Sequence, residues 1–392
     1  MSRPGAVPLK VRGLGGTISA PLATALAVSV AAHVAVYGLT PVMSLHVVAR
    51  GGSSTDVGVL FSVFALVAVV LRPLAGAWID RGGLRSALLP GAALMVLASL
   101  GFQVAGRPAA LIVLMACFGV GFGLATMAAA VLAASAPTDR RARALGVYYL
   151  AAPVSMAIAA PLGLWLYRHQ GVGANFAVIT VLGLAAAVLG LLPAAAPRRA
   201  PATPGMSPLW SRGAVPLSAV LAVAAMGQSA LYTFLPLHAS RHGQEPYLPW
   251  FFGVYSGGMI VLRAAVSSVA DRWGRSRILM PALACLSAGF CVLIAPPTPP
   301  RLTLAAVLLA AGSAVLYPMT VALVVERVPE RERGVAIGTA SGAWDLGFFV
   351  GSLLIAGVVV RASHGAGFAT AAALLALALA GLVGVERRRM LG

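Results

Sequence analysis

The sequence predicts an all-α membrane protein of twelve transmembrane helices in two pseudo-symmetric six-helix bundles. Three observations carry that prediction: composition, the spacing of apolar runs, and a repeat relating the two halves. Of 392 residues, 60% are hydrophobic and 10% are charged. Soluble domains carry about 25% charged residues. So little polar surface cannot cover a chain of this length in water, and lipid must solvate most of it. In lipid the backbone must satisfy its own amides, which makes each span helical.

The spans follow in order. Apolar segments lie near 18–41, 57–78, 86–105, 109–135, 143–167 and 173–193. Six more lie near 214–238, 248–270, 278–295, 302–325, 335–360 and 366–385. Each is close to the ~20 residues that cross a bilayer. The first apolar run, Ile18 to Val48, is too long for a signal-peptide core and has no clear cleavage site. Asp56 opens the second span after Ser53, Ser54 and Thr55 and reads as a helix cap. Gly119, Gly121, Gly123, Gly347 and Gly351 allow close helix approach in the fourth and eleventh spans. Between the sixth and seventh spans, Pro197, Pro201, Pro204 and Pro208 accompany Arg198 and Arg199. Such a stretch resists packing and reads as a linker. The expected division is 1–193, an N-terminal six-helix bundle; 194–213, a cytoplasmic linker; and 214–392, a C-terminal six-helix bundle.

The charge supports this topology. Of the 28 Lys and Arg, 20 fall in the N-terminal segment and every second gap after it, 6 fall in the other gaps, and Arg72 and Arg263 lie within spans. That bias places both termini in the cytoplasm and requires an even number of spans. The net charge of +18 is thereby explained by topology. A nucleic-acid binder would gather its basic residues on one face, so no nucleic-acid partner is expected. Cys117, Cys285 and Cys291 sit in apolar stretches without disulfide or metal spacing.

The halves repeat each other. At an offset of 191, Arg72, Asp80, Arg81, Gly83 and Pro90 meet Arg263, Asp271, Arg272, Gly274 and Pro281. At 192, Pro137, Arg141 and Gly146 meet Pro329, Arg333 and Gly338. At 195, His33, Tyr37 and Pro41 meet Gln228, Tyr232 and Pro236. Parallel six-helix repeats characterise one large class of secondary transporters.

Within that repeat, Gly76-x-x-x-Asp80-Arg81-x-Gly83-x-Arg85 resembles the signature loop of the major facilitator superfamily (MFS), and Asp271-Arg272-x-Gly274-Arg275 resembles its second copy. The resemblance covers essentially the whole chain and points to the drug and metabolite exporter branch. It implies a proton-coupled exporter of small amphipathic molecules or metabolites, working by alternating access in the plasma (inner) membrane. The lipid bilayer, a small-molecule substrate and protons are the implied partners, and a single chain is expected to suffice. It also implies that the two loops latch the cytoplasmic side through Asp80 and Asp271. A carboxylate where a span leaves the membrane can face a helix N-terminus and pair with a nearby Arg. There are departures: Leu84 and Ser267 replace motif residues, the fourth span lacks the exporters' arginine, and Ala160-Pro161-Leu162-Gly163 is a degraded antiporter motif.

Four residues are the candidates for transport and coupling: Asp345, Arg72, His33 and Arg263. Asp345 is the only acid deep within a span. It lies about 18 Å along a helix from Arg333, where charge costs about 2.5–3.5 kcal/mol on insertion scales. It is therefore a proton-coupling candidate, with a structural ion pair as the plainer reading. Arg72, about 12 Å inward of Asp80, is its expected partner, because the second and eleventh spans are neighbours in the implied fold. Arg263 is expected to face the fifth span at Tyr148 and Tyr149. Either arginine could line the route or brace the halves. His33 could titrate near neutral pH or serve as an interior hydrogen-bonder. Tyr37, Gln228, Tyr232 and Trp344 are the expected substrate-cavity residues. Glu326, Glu330 and Glu332, alternating with Arg327, Arg331 and Arg333, read as a solvated cluster.

No nucleotide-binding loop, H-E-x-x-H pattern or nucleophile elbow occurs. The expectation is therefore no enzyme, no catalytic residue, no metal and no cofactor. An importer or facilitator in the same fold is the alternative. A membrane-embedded enzyme or a non-transporting sensor is the alternative of another class.

Overall fold

The computed structural model describes residues 19–135, 138–191 and 210–391. Within them lie thirteen α-helices. The first six are α1 (Ala20–Ala49), α2 (Ser54–Gly82), α3 (Leu84–Val104), α4 (Pro108–Ala134), α5 (Thr138–Gln170) and α6 (Val172–Leu191). The rest are α7 (Val215–Arg241), α8 (Leu248–Trp273), α9 (Arg275–Ile294), α10 (Pro299–Ser313), α11 (Leu316–Glu326), α12 (Arg333–Arg361) and α13 (His364–Leu391). The chain is an all-α membrane protein of twelve spans, since α10 and α11 together make one.

Local chemistry sets the helix ends. Proline occupies the first turn of α1, α4, α7 and α10, where no amide partner is lost. At α2 the Asp56 amide donates to Ser53 Oγ, and the Asp56 carboxylate accepts from the Ser53 amide at 2.7 Å, a reciprocal capping box. Gly83 and Gly274 take φ of 80° and 84°. Both copies of the repeat thus turn through a left-handed glycine, a conformation glycine adopts without a Cβ penalty.

Helices α1 to α6 form one bundle, in which α1 packs on α4, α5 and α6, and α3 packs on α4 and α6. Helices α7 to α13 form the other, in which α7 packs on α12 and α13, and α9 packs on α10 and α13. Close approaches run through glycine. A Cβ on Gly163 would lie 2.3 Å from the Gly38 carbonyl oxygen, and one on Gly347 would lie 2.3 Å from that of Ala222. The bundles meet through α2 on α12, α5 on α8 and α1 on α7.

The segment expected as one helix over 302–325 is interrupted at Ala314 and Val315. Pro318 has no amide to donate to the carbonyl four residues back, which is Ala314. The linker expected over 194–213 lies outside the described residues up to 209. Beyond it, Ser211 docks on the second bundle, its amide donating to Thr339 Oγ1 at 3.0 Å and its hydroxyl to Glu332.

Candidate functional site

Where α1, α7, α8 and α10 converge between the bundles, three tyrosines gather around one arginine. The hydroxyls of Tyr232 and Tyr255 share a hydrogen bond of 3.1 Å. Tyr37 lies within electrostatic reach of Tyr255 and Arg263, joining the first bundle to the second. Arg263 Nε donates to the Ala314 carbonyl at 3.0 Å, the acceptor that Pro318 leaves without a helical partner. Gln228 Nε2 donates to Ser313 Oγ at 2.6 Å, one residue before that break. Tyr255 and Gln228 are buried, so this polar network is closed off from lipid.

An aromatic row continues from it along the inner face of α12. Tyr232 stacks on Phe348 at 6.3 Å between centroids, Phe348 meets Trp344 at 5.2 Å, and Trp344 meets Tyr317 edge-on at 5.3 Å. Tyr317 and Ser341 hydroxyls are bonded at 2.8 Å. The row presents aromatic faces with hydroxyls at both ends, a surface suited to a ligand that is apolar with a few polar groups.

The expected cavity residues Tyr37, Gln228, Tyr232 and Trp344 thus fall in one region with Arg263. Of the fifth-span tyrosines expected beside Arg263, the Tyr148 hydroxyl donates to the Thr126 carbonyl at 2.8 Å, and the Tyr149 side chain lies outside the described residues. Helices α5 and α8 pack on one another, and Arg263 Nε reaches the broken span at Ala314. His33 lies one turn before Tyr37, its ring 6.0 Å from that of Tyr37 and edge-on to Phe122, with Nδ1 donating to the Ser29 carbonyl at 2.7 Å. Asp345 is buried, at 9% exposure, directly after Trp344 on α12. The side chains of Arg72, Gly76, Asp80, Asp271 and Arg272 lie outside the described residues.

Tyr255, Ser313 and Tyr317 were not legible as site residues. Tyr255 lies two steps of four residues before Arg263, hence toward the same face of α8; that spacing was the available signal. Ser313 joins the site only because the helix breaks beside it.

At the signature loops, Arg81 is exposed and Arg85 Nη2 donates to the Leu191 carbonyl at the end of α6, 3.0 Å away. In the second copy Arg275 pairs with Glu326. Arg327 pairs with Glu386 of α13 and donates to Ser276 at 3.3 Å. The alternating acid–base run is therefore not simply solvated. Glu330 is exposed, whereas Glu326, Arg327 and Glu332 tie α9, α11, α13 and the segment before α7 together.

Besides the Tyr232 hydroxyl's contact with Met156 Sδ at 3.9 Å, three described hydrogen bonds between the bundles lie toward the end opposite the termini. Ser44 Oγ donates at 3.4 Å to the Tyr232 carbonyl, which Pro236 leaves without a helical donor. Ser62 Oγ donates to the Phe349 carbonyl at 3.0 Å, and Arg168 to that of Pro246 at 3.4 Å.

Comparison with known proteins agrees with this geometry. The family model described as Major Facilitator Superfamily matches residues 25–299 and 217–390. A probable vesicular acetylcholine transporter-B of Danio rerio is 33% identical over 146 residues, 36% of this chain and 30% of that protein. The MFS-type transporter YhhS of Escherichia coli (strain K12) is 25% identical over 349 residues, 84% of this chain and 83% of that one. The chain matches half or less of the length of the first curated relatives. The crystal structure of the peptide transporter POT in complex with sulfate superposes with a TM-score of 0.74 at 16% identity, over 96% of each chain. That likeness is one of fold.

Proposed function

The chain belongs to the major facilitator superfamily and is a transmembrane transporter, and from that premise we propose that it exports small amphipathic molecules or metabolites, driven by protons, through alternating access. The observation that carries the reading is the polar and aromatic site between the bundles: Tyr37, Tyr232, Tyr255 and Arg263, with the row from Phe348 to Trp344. A ligand held there touches both halves, which is what a rocking carrier needs. Vesicular acetylcholine and chromaffin granule amine transporters among the relatives lend support, by their names alone, to a small organic substrate.

The moving bodies are 1–193 and 214–392, hinged by 194–213, with both termini in the cytoplasm of a cell whose plasma (inner) membrane holds the chain. A single chain suffices, because the site is built from its own two halves. Asp80 and Asp271 latch the cytoplasmic side. Asp345 exchanges the proton, and Arg72 is its counter-charge in one state of the cycle. Helices α2 and α12 pack through Gly58 against Ala356 and Ser62 against Phe349. Continuing that antiparallel register brings Arg72 within about two helical turns of Asp345.

The test uses proteoliposomes holding the full chain and a panel of labelled amphipathic cations, anions and neutral compounds. A pH difference is the only energy source. Accumulation of a compound against its gradient, in the direction opposite to proton flow, supports the reading. Equilibration without accumulation makes the protein a facilitator, and accumulation in the direction of proton flow makes it an importer.

A further inference from the structure

A second cluster of titratable side chains lies beyond this site, at the end of the bundles opposite the termini. There a cavity of about 530 Å³ opens between the first turn of α2 and the ends of α7, α12 and α13. Ser53 and Ser54 line it from the first bundle, and His238, Arg241, His242 and His364 from the second. His238 and His364 stack at 5.9 Å between centroids, and His242 meets His238 edge-on at 4.8 Å.

Two of these rings are buried without being satisfied. His238 is 3% exposed and His364 is 4% exposed. His364 Nε2 has no hydrogen-bond partner among the described residues. His238 faces the carbonyls of Leu293 and Ala295 without a hydrogen bond of normal geometry to either. A buried ring nitrogen without a partner is unfavourable, and here the rings wall a cavity large enough for a ligand.

The charges around the cavity have one sign. Arg241 is a permanent cation on its wall, and no Asp or Glu lines it. Asp56, close by in sequence, is turned into the α2 cap, where Ser53 donates to it through both amide and hydroxyl. Glu245 borders a smaller neighbouring cavity of about 260 Å³ that shares Arg241, Ser53 and Ser54. The 28-residue helix α13 begins at His364 on the cavity wall. Ser363 Oγ takes the Ala366 amide, and the earlier amides of that first turn have no helical acceptor. Among the described residues no group of His, Cys, Asp or Glu is arranged to hold a metal ion.

We propose that this vestibule is a second binding site, separate from the central one, and that it takes an anionic group, a carboxylate or a phosphate. Arg241 supplies the counter-charge, the imidazoles supply N–H donors, and the first turn of α13 supplies backbone amides. Because Ser53 and Ser54 come from the first bundle, an anion here touches both halves at their joined end. It therefore favours the conformation in which that end is closed.

The test uses the full chain in nanodiscs of neutral phosphatidylcholine, with inorganic phosphate as the probe. Diethylpyrocarbonate modification of exposed His242 is followed by mass spectrometry, with exposed His169 as the reference. Phosphate is expected to slow modification of His242 severalfold and to leave His169 unchanged. Arg241→Gln should raise the phosphate concentration needed for that protection about tenfold, the scale of one charge-assisted hydrogen bond. Arg241→Lys should keep most of it, and Arg107→Gln, at an exposed position outside the cavity, all of it. Protection by phosphatidylglycerol in the disc without added phosphate identifies a lipid headgroup as the source of the anion. Protection by phosphate alone identifies a free anion. The proposal is overturned if neither slows His242, if His169 is protected equally, or if Arg241→Gln matches the wild type. The wild-type arm stands even if a variant fails to fold.

Discussion

At the scale of single residues, proline decides where two of the polar contacts go. Pro318 withholds the amide that would have met the Ala314 carbonyl, and Arg263 donates to it instead. Arg263→Gln is expected to leave that acceptor unpaired and to lower stability by about 1–3 kcal/mol. In the double variant with Pro318→Ala, a restored helical amide should return most of the loss. Thermal melting of the purified chain measures both; strictly additive losses would show that Arg263 does not serve this carbonyl. Asp345 poses a functional question. If it carries the coupled proton, Asp345→Asn abolishes pH-driven accumulation while downhill exchange of substrate continues. Proteoliposomes in which that variant still concentrates substrate on a pH difference alone would remove Asp345 from the mechanism. His33 is then the next candidate, since its Nδ1 donates to the Ser29 carbonyl and Nε2 is left to take the proton.

At the scale of helices, small residues set how closely the spans approach. A Cβ on Gly163 would strike the Gly38 backbone at 2.3 Å, whereas one on Gly173 meets nothing within 4 Å. Gly163→Ala should therefore cost about 1–3 kcal/mol through overpacking, with α1 and α5 forced apart. Gly173→Ala, nearby in sequence, should be neutral or slightly stabilising. Equal melting temperatures for the two variants would contradict this account of the α1–α5 contact. The α2–α12 contact carries the proposed Arg72–Asp345 pair. Neutralising either residue alone leaves a buried charge, which typically costs about 3–5 kcal/mol. Arg72→Met with Asp345→Asn should restore expression that each single change lowers, and expression of the folded chain is the measurement.

At the scale of the molecule, the two bundles are joined by described hydrogen bonds toward the end opposite the termini. Both signature loops turn on a left-handed glycine, Gly83 and Gly274, so the repeat extends to backbone conformation. If the loops are the cytoplasmic latch, Asp80→Asn should leave the chain folded and inserted but slow net transport at least about tenfold, the scale of one lost charge-assisted hydrogen bond. Initial rates in proteoliposomes, corrected for the amount of folded protein, decide it; wild-type rates rule the latch out.

Much of this was readable without coordinates, for a physical reason. Lipid forces every span to be a helix of nearly fixed length, so twelve apolar segments specify twelve spans, and the duplicated Arg, Asp, Gly and Pro specify two bundles. The aligned pair Tyr37 and Tyr232 pointed to the region between the bundles because the first helix of each repeat occupies equivalent positions. Other features depend on how neighbouring helices meet. That Arg263 donates to Ala314 was not legible in the linear pattern, because the acceptor there is freed only once Pro318 breaks the span. Ser313 enters the site beside that same break, and His238, His242 and His364 converge only where α7 meets α13. Periodicity and composition along one chain determine which segments cross the membrane. Which side chains face one another depends on the rotation and depth of each helix against its neighbours, and the tertiary structure alone decides that.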